Sequence, residues 1–256
     1  NRLLESIWQA DLNEINYEII VVENNSGDDL SNLNKLNKKI NLIESPKNLG
    51  MGGGNNLGID SSSGNYILIL NPDTIVGLDS IKILYDYLNN DTTVGLVGPK
   101  LIYPDASLQY SCSKFPIFWM PILRRTFLGD YFSGLRDSFT MNDFDHNSIK
   151  AVDWLMGSCL MFKKKIVLAN QEIFSPHFDK RYFMYFEDTD LCRSIWIKGL
   201  KVIYNPEAVV VHNHGRDSAR HPWYIALLKD KITWIHIFSL FKYFAKWGIK
   251  KVTYGQ

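Results

Sequence analysis

Three carboxylates stand within four residues of the chain, at Glu187, Asp188 and Asp190, directly behind the largely aromatic run 182–186. A carboxylate held against apolar surface has a raised pKa and can accept a proton near neutral pH. The simpler alternative is a helix N-terminus, where acidic side chains are favoured by the helix dipole without any function. That alternative accounts less well for the aromatic residues in front, so the pattern favours a general base in this window.

A second acidic signal lies where the short apolar run 66–70 leads through Asn71 and a proline to Asp73. His212 follows a run of three valines, and His214 comes two residues later. A carboxylate at a strand end and a later imidazole are what a phosphate-bound divalent metal needs. Two alternatives stay open, because an Asx-Pro pair is commonly a plain turn and a histidine near a strand is more often structural.

Glycine is unusually frequent in 50–58, with five glycines in nine residues. Glycines let a backbone approach a diphosphate, and the N-terminus of a following helix favours negative charge. The segment is neither a Walker loop nor a clean G-x-G-x-x-G after a strand, so a flexible loop stays an alternative. Upstream, the acids and amides of 23–28 could hydrogen-bond a nucleobase and ribose at a sheet edge, although such runs are mostly turns.

The elements that must position these residues alternate between strands and helices. Short β-branched or apolar runs predict strands at 17–23, 40–44, 66–70, 94–101 and 152–162, and a last strand at 201–204, after which the valine run 209–211 leads to His212. Helices are predicted near the start of the chain and at 28–39, 53–62, 78–90 and 188–198. This alternation predicts an α/β fold with a parallel sheet and ligands at the carboxyl ends of its strands. Residues 102–150 show no clear period, which is typical of a variable insertion.

The bulk composition excludes some classes of protein. Lysines and arginines number 28 against 27 acidic residues, so no global positive field argues for nucleic acid. Three widely spaced cysteines, Cys112, Cys159 and Cys192, match neither a zinc site nor a disulfide framework. We expect them to be reduced thiols of a cytosolic protein.

The last segment, 229–256, differs in kind, with six lysines, one acid and seven aromatic residues. Its aromatic residues recur at helical spacing, at Trp234, Phe238, Phe241, Phe244 and Trp247. Such a helix either lies in a membrane interface or docks on the core with its lysines in water, and periodicity does not separate the two. We therefore divide the chain into a main domain, 1–228, and a basic aromatic C-terminal helix, 229–256.

Taken in order, these motifs resemble those of the inverting family 2 glycosyltransferases, in particular bacterial rhamnosyltransferases. The likeness rests on the segments 21–28 (VVENNSGD), 48–58 (NLGMGGGNNLG), 70–73 (LNPD), 154–161 (WLMGSCLM) and 178–192, followed by His212. It implies the GT-A fold, a Rossmann-like mixed sheet flanked by helices that serves nucleotide-diphospho-sugar transfer. Such enzymes usually begin with a strand ending in Thr-Tyr-Asn, so we expect that this first strand is missing before Asn1.

The resemblance also implies roles for single residues. Asp188 matches the catalytic base, with Glu187 as the second choice. Asp73 matches the last residue of the family's DxD metal motif, whose first acid is replaced by Asn71, and His212 matches the second metal ligand. The donor would be contacted by Glu23, Asn24, Asn48, Gly52, Asn55, Asn71, Asp73, Trp154 and Gly157.

The activity implied is inverting transfer of a sugar, rhamnose from dTDP-rhamnose, to a hydroxyl of a cell-surface glycan or lipid-linked acceptor. Mg²⁺ or Mn²⁺ would assist departure of the diphosphate, and the protein would work in the cytoplasm, at the inner face of the plasma membrane. Transfer of a UDP-hexose or of galactofuranose is an alternative on the same fold. Further alternatives are a non-catalytic sugar-nucleotide-binding protein and a nucleotidyltransferase, for which the phosphate loop is poorly basic, with only Lys47 nearby.

Overall fold

A computed structural model describes residues 2–30, 32–33, 40–120, 123, 131–213 and 230–249. The helices in these ranges are α1 (Arg2–Gln9), α2 (Gly50–Ser61), α3 (Ser80–Asn90), α4 (Ser133–Thr140), α5 (Glu187–Ile197) and α6 (Lys231–Trp247). The strands are β1 (Ile19–Glu23), β2 (Ile40–Glu44), β3 (Tyr66–Leu70), β4 (Thr74–Val76), β5 (Val94–Ile102), β6 (Leu108–Gln109), β7 (Cys112–Ser113), β8 (Lys150–Ala151), β9 (Trp154–Leu155), β10 (Cys159–Lys163), β11 (Ile166–Val167), β12 (Ile173–Phe174) and β13 (Lys201–His212).

The central sheet is mixed. Its main order is β3-β10-β5-β13-β4, with β6 beside β5 and β8 beside β13. β13 runs parallel to β5, whereas β10 is antiparallel to β3 and β5, and β4 is antiparallel to β13. The prediction of a parallel sheet is therefore wrong for these strands.

Both faces of the central sheet are covered, which explains the nearly continuous apolar character of its strands. Along β10, Leu160 and Phe162 belong to a buried cluster with residues of α2 and α5. The alternate residues Cys159 and Met161 belong to a cluster with residues of α1 and α3. β1 and β2 form a separate parallel pair, against which α2 also packs.

The predicted strand 152–162 is wrong in one respect, because residues 156–158 interrupt it. The Met156 amide donates to the Ser111 carbonyl at 2.8 Å, and the Gly157 amide donates to a carboxylate of α5 at 2.9 Å. These amides are thus engaged outside a continuous β-ladder, and the segment becomes β9, a turn and β10.

The predicted last strand, 201–204, is the start of a longer strand, β13, which continues through the valine run 209–211 to His212. Its pairing with β5 shifts register between Asn205 and Val209, where Pro206 cannot donate to a ladder. Of the predicted helix 28–39, residues 31 and 34–39 lie outside the described residues, and 28–30 have no regular secondary structure.

The C-terminal helix α6 docks on the protein by one face only. Ser239, Leu240, Tyr243 and Phe244 are buried, while the opposite face leaves aromatic side chains exposed. The alternative in which this helix docks on the core is therefore confirmed for its inner face. None of the helices in the described part of the chain is both long enough and apolar enough to cross a membrane.

Candidate active site

Asp188 lies in the first turn of α5, with its carboxylate fixed by backbone amides. Gly157 donates to Asp188 Oδ2 at 2.9 Å, and the Thr189 amide donates to Oδ1 at 2.7 Å. Burial raises the pKa of Asp188, and these hydrogen bonds act in the opposite direction. The residue as a whole is half-buried, and the raised pKa of its carboxyl group suits a group that accepts a proton near neutral pH.

Glu187 is the more deeply buried neighbour, with 7% of its surface exposed. Burial raises its pKa to about 8, and the charge of Asp188 adds to this effect. Its side chain packs on α2, where a Cβ at Gly52 would lie 3.4 Å from Glu187 Cβ. Two adjacent carboxyl groups of this kind titrate as a pair, and Asp188 is the one better placed to meet a hydroxyl.

Asp73 and His212 meet at the end of the sheet, with 3.4 Å between Asp73 Oδ1 and His212 Nε2. His212 is the last residue of β13, and its Nδ1 lies 2.9 Å from Gln109 Oε1. Because an amide oxygen only accepts hydrogen bonds, Nδ1 carries a proton and donates to Gln109, and Nε2 faces the Asp73 carboxylate. An imidazole nitrogen facing a carboxylate oxygen in this way fits a divalent cation. His214 lies outside the described residues.

Gln109 is a site residue that the sequence did not reveal. It is buried on the two-residue strand β6, inside the segment 102–150 that has no clear period, so no pattern marks it. Within the described ranges, no three His, Cys, Asp or Glu side chains converge as metal ligands. Among the described residues, Asp73 and His212 are the two that could hold an ion at this place.

Backbone contacts join Asp188 and the Asp73–His212 pair. The Asn71 amide at the carboxyl end of β3 donates to the Ser158 carbonyl at 2.9 Å, and Ser158 follows the Gly157 that holds Asp188. The Asn213 amide in turn donates to the Asp73 carbonyl at 3.0 Å. The carboxyl ends of β3 and β13 thus lie with α5 at one edge of the sheet, where α/β proteins bind ligands.

The glycine-dense segment is helical from Gly50 onward, so the flexible-loop alternative is wrong and the helix begins earlier than predicted. Gly50 has φ +73°, and a Cβ there would lie 2.0 Å from the Phe183 carbonyl oxygen. The Met51 amide donates to that same oxygen at 2.7 Å. These glycines bring the start of α2 against the chain that leads into α5.

Several residues that were predicted to contact the donor form hydrogen bonds within the protein. Glu23 accepts hydrogen bonds from the Ser26 hydroxyl and from the amides of Ser26 and Asn25, which lower its pKa. Asn24 accepts from the Leu49 amide at 2.9 Å and donates to the Gly50 carbonyl at 2.9 Å. Their side chains therefore shape the turn after β1 and the start of α2.

Three further residues that were predicted to contact the donor are Asn48, Trp154 and Asn55. Asn48 Oδ1 accepts from the Gly50 amide at 2.9 Å, and Trp154 Nε1 donates to the Lys114 carbonyl at 2.9 Å. Asn55 is half-buried on α2. Its neighbour Asn56, which the sequence did not single out, exchanges hydrogen bonds with the Phe178 carbonyl at 2.7 Å and the Phe178 amide at 2.9 Å.

Comparison with known protein sequences identifies a family model and several relatives that this chain matches. Residues 1–146 match the family model described as Glycosyl transferase family 2. The chain is 28% identical over 176 residues to the N-acetylglucosaminyl-diphospho-decaprenol L-rhamnosyltransferase of Mycobacterium tuberculosis (strain CDC 1551 / Oshkosh), covering 68% of this chain and 55% of that protein. It is 25% identical over 186 residues to Rhamnosyltransferase WbbL of Escherichia coli (strain K12), covering 71% of this chain and 62% of that protein. The chain thus spans less than two thirds of the length of either relative.

Comparison with solved structures gives the fold that was expected from the sequence resemblance. The chain is similar to the crystal structure of GalNAc-T7 with UDP, GalNAc and Mn²⁺, with a TM-score of 0.59 and 12% identity over 82% of this chain and 39% of that one. At this identity the likeness concerns the fold alone. It confirms the GT-A fold that the sequence resemblance implied.

Proposed function

Because the chain belongs to glycosyl transferase family 2, we propose that it transfers a sugar from a nucleoside diphosphate to a hydroxyl acceptor, with inversion at the anomeric carbon. The observation that carries this proposal is the placement of Asp188. A half-buried carboxylate is held by the Gly157 amide at the ligand-binding edge of the sheet, beside the Asp73–His212 pair.

In the proposed reaction, Asp188 takes the proton of the acceptor hydroxyl. The acceptor oxygen attacks the anomeric carbon from the face opposite the diphosphate, and the bond to the diphosphate breaks with its electron pair. Burial keeps the pKa of Asp188 above its ordinary value, which suits a base that works near neutral pH. The Gly157 and Thr189 amides fix both carboxylate oxygens, so the base is oriented before the acceptor arrives.

Asp73 and His212 are the residues that would hold Mg²⁺ or Mn²⁺, with Gln109 fixing the His212 ring. A divalent ion bound there would neutralise charge on the diphosphate as it leaves. The structure of GalNAc-T7 with UDP and Mn²⁺ supports the use of a divalent ion on this fold.

Rhamnose is the donor sugar that we propose, from dTDP-rhamnose, because two of the relatives are rhamnosyltransferases. Transfer of a UDP-hexose or galactofuranose is the alternative. The acceptor would be a cell-surface glycan or a lipid-linked glycan, as the name of the mycobacterial relative indicates for that protein. The nucleotidyltransferase alternative loses support, since Asp73 and the acids 187–190 form no common metal cluster among the described residues.

The test is donor binding and turnover with dTDP-rhamnose, UDP-glucose and UDP-galactose, each with and without Mn²⁺. We expect Mn²⁺-dependent binding of one donor that is lost in Asp73→Ala and in His212→Ala. Asp188→Asn should bind that donor and lose about 10²–10⁴ in turnover. The matched control is Asp79→Asn, an exposed aspartate that makes no side-chain cap to α3. Binding of none of the three donors, or normal turnover in Asp188→Asn, would overturn the proposal.

We also propose that the outer face of α6 rests on an anionic lipid surface, where a lipid-linked acceptor would be presented. Trp234, Phe238 and Phe241 are 46%, 56% and 54% exposed along this face. Trp119 is exposed beside them, since Phe118 stacks on both Trp119 and Phe241. Lys231 is exposed at the start of α6 and complements anionic headgroups, whereas Lys246 faces inward to Asp190 and Lys242 contacts the Arg181 carbonyl.

Vesicle co-sedimentation tests this surface without disturbing the inner face of α6. Replacing Trp234, Phe238 and Phe241 together with serine should release the full chain from vesicles that contain phosphatidylglycerol. The control is Val167→Ser with Ile173→Ser, two exposed apolar residues on another part of the surface. Unchanged sedimentation of the triple variant would remove the membrane proposal.

A further inference from the structure

The backbone directly before the proposed base adopts an unfavourable conformation. Tyr185 and Phe186 have φ of 67° and 68°, two consecutive non-glycine residues in the left-handed region. Such conformations persist only where the surroundings enforce them, and they cluster at functional sites. Glu187 and Asp188 directly follow this turn. The contacts that hold the turn in this conformation therefore also set the orientation of Asp188.

Helix α6 provides those surroundings. Ser239 Oγ donates to the Met184 carbonyl at 2.8 Å, one residue before the left-handed pair. The ring of His236 lies 4.8 Å from that of Tyr185 and 5.6 Å from that of Phe186. These contacts join residues about fifty positions apart in sequence, and they hold the turn from the C-terminal side of the chain.

The same helix holds the first turn of α5 through a buried ion pair. Asp190 is 1% exposed, and Lys246 Nζ lies 2.7 Å from its Oδ2. Trp247 Nε1 and the Tyr182 hydroxyl donate to the other oxygen at 2.7 and 3.0 Å. Lys246 also contacts Asp179 Oδ2 at 2.8 Å. A buried carboxylate with these partners is fixed in place, because losing the ammonium would leave its charge uncompensated.

We propose that Ser239 and Lys246 are positioning residues for the proposed base: α6 clamps the strained turn 185–186 and the first turn of α5, and so directs the Asp188 carboxylate toward the acceptor. The inference rests on the proposed function for its catalytic consequence. A helix that merely covers a hydrophobic patch would affect stability, and the orientation of Asp188 would not depend on its polar contacts.

Two readouts separate these cases. The first is the split between kcat and the donor KM in the full chain, measured well below the unfolding temperature. The second is the amide resonance and the hydrogen exchange of Gly157, which report its hydrogen bond to Asp188 in the absence of any turnover. The variants are Lys246→Met, Lys246→Arg and the milder Ser239→Ala. The control on the same helix is Lys242→Met, whose ammonium contacts the Arg181 carbonyl, outside the Asp190 network.

In Lys246→Met we expect kcat to fall by about 10-fold or more with the donor KM within about 2-fold, as small misplacements of a catalytic group have such effects. The Gly157 amide should shift and exchange faster. Lys246→Arg should restore most of both properties, Ser239→Ala should show the same effects at smaller size, and Lys242→Met should behave as wild type.

An unchanged Gly157 amide, or an unchanged kcat, in folded Lys246→Met overturns the positioning role. Should Lys246→Met fail to fold, the same two criteria apply to Ser239→Ala, which removes a single hydrogen bond. A wild-type chain that turns over no sugar nucleotide contradicts the proposed function instead, and the Gly157 amide still decides whether α6 positions Asp188.

Discussion

The amide of Gly157 lies 2.9 Å from Asp188 Oδ2, and a Cβ at Gly157 would lie 3.2 Å from Asp188 Cβ. The turn between β9 and β10 therefore both orients the proposed base and leaves room for it only because residue 157 has no side chain. This contact joins the interrupted strand to the first turn of α5.

Gly157→Ala should displace the carboxylate of Asp188 by a few tenths of an ångström. We expect turnover to fall by about 10-fold or more, with donor affinity retained, because the reacting groups lose their alignment. Steady-state kinetics with the donor identified in the binding experiments provide the measurement. Gly134→Ala is the control, since a Cβ at that position in α4 would meet no atom within 4 Å. Equal turnover in the two variants would show that the contact is unimportant for the reaction.

Glu187 should make stability depend on pH in an unusual direction. Its pKa is about 8 in the folded protein against an ordinary value of 4.5, so between these pH values the unfolded chain releases a proton that the folded chain keeps. The contribution of this group to the unfolding free energy is largest below pH 4.5 and decreases as the pH rises toward 8. Glu187→Gln should therefore gain about 1–3 kcal/mol relative to wild type between pH 5 and pH 8.

Urea unfolding at pH 5 and at pH 8 measures this difference. Glu172→Gln, at an exposed position, is the matched control and should show no such gain. A Glu187→Gln variant whose advantage is the same at both pH values would mean that Glu187 ionises normally in the folded protein.

Gln109 should matter for metal affinity although it is not itself a ligand. Gln109→Leu removes the acceptor of His212 Nδ1 and with it the restraint on the ring. Mn²⁺ affinity in the presence of UDP or dTDP, measured by calorimetry, should weaken by about 10–100-fold. Gln109→Glu keeps an acceptor oxygen and should bind more tightly than Gln109→Leu, while Gln9→Leu, on the exposed face of α1, should leave affinity unchanged. Wild-type affinity in Gln109→Leu would place the metal away from His212.

Gly50 should be intolerant of any side chain. Gly50→Ala forces a Cβ to within 2.0 Å of the Phe183 carbonyl oxygen at a left-handed φ, so the start of α2 must separate from the chain leading to α5. We expect a loss of more than about 2 kcal/mol of unfolding free energy. Gly58→Ala, later in the same helix, makes ordinary contacts with Val22 at 3.4 Å and Ile20 at 3.8 Å and should be neutral or slightly stabilising. Thermal unfolding of the two variants measures this difference in stability. Similar melting temperatures for Gly50→Ala and Gly58→Ala would contradict the prediction.

The sequence alone was sufficient for the regular elements near the site and for the fold class. Strands 40–44 and 66–70 are observed with the predicted bounds, because a buried strand is a local run of β-branched and apolar residues. The GT-A fold was implied by the resemblance of the short motifs around Glu23, Gly50, Asp73, Asp188 and His212 to those of family 2 glycosyltransferases, and each motif occupies a few adjacent residues. Local patterns of this kind are legible because each depends on near neighbours in the chain.

The tertiary structure alone decided which of these residues touch. Gln109 lies 103 positions from the His212 that it orients, and Lys246 lies 56 positions from Asp190. It also decided that residues 156–158 turn instead of continuing a strand, since the partner of the Gly157 amide is a side chain 31 residues away. No periodicity encodes such contacts, because they depend on how separate elements pack, and packing is a property of the whole chain.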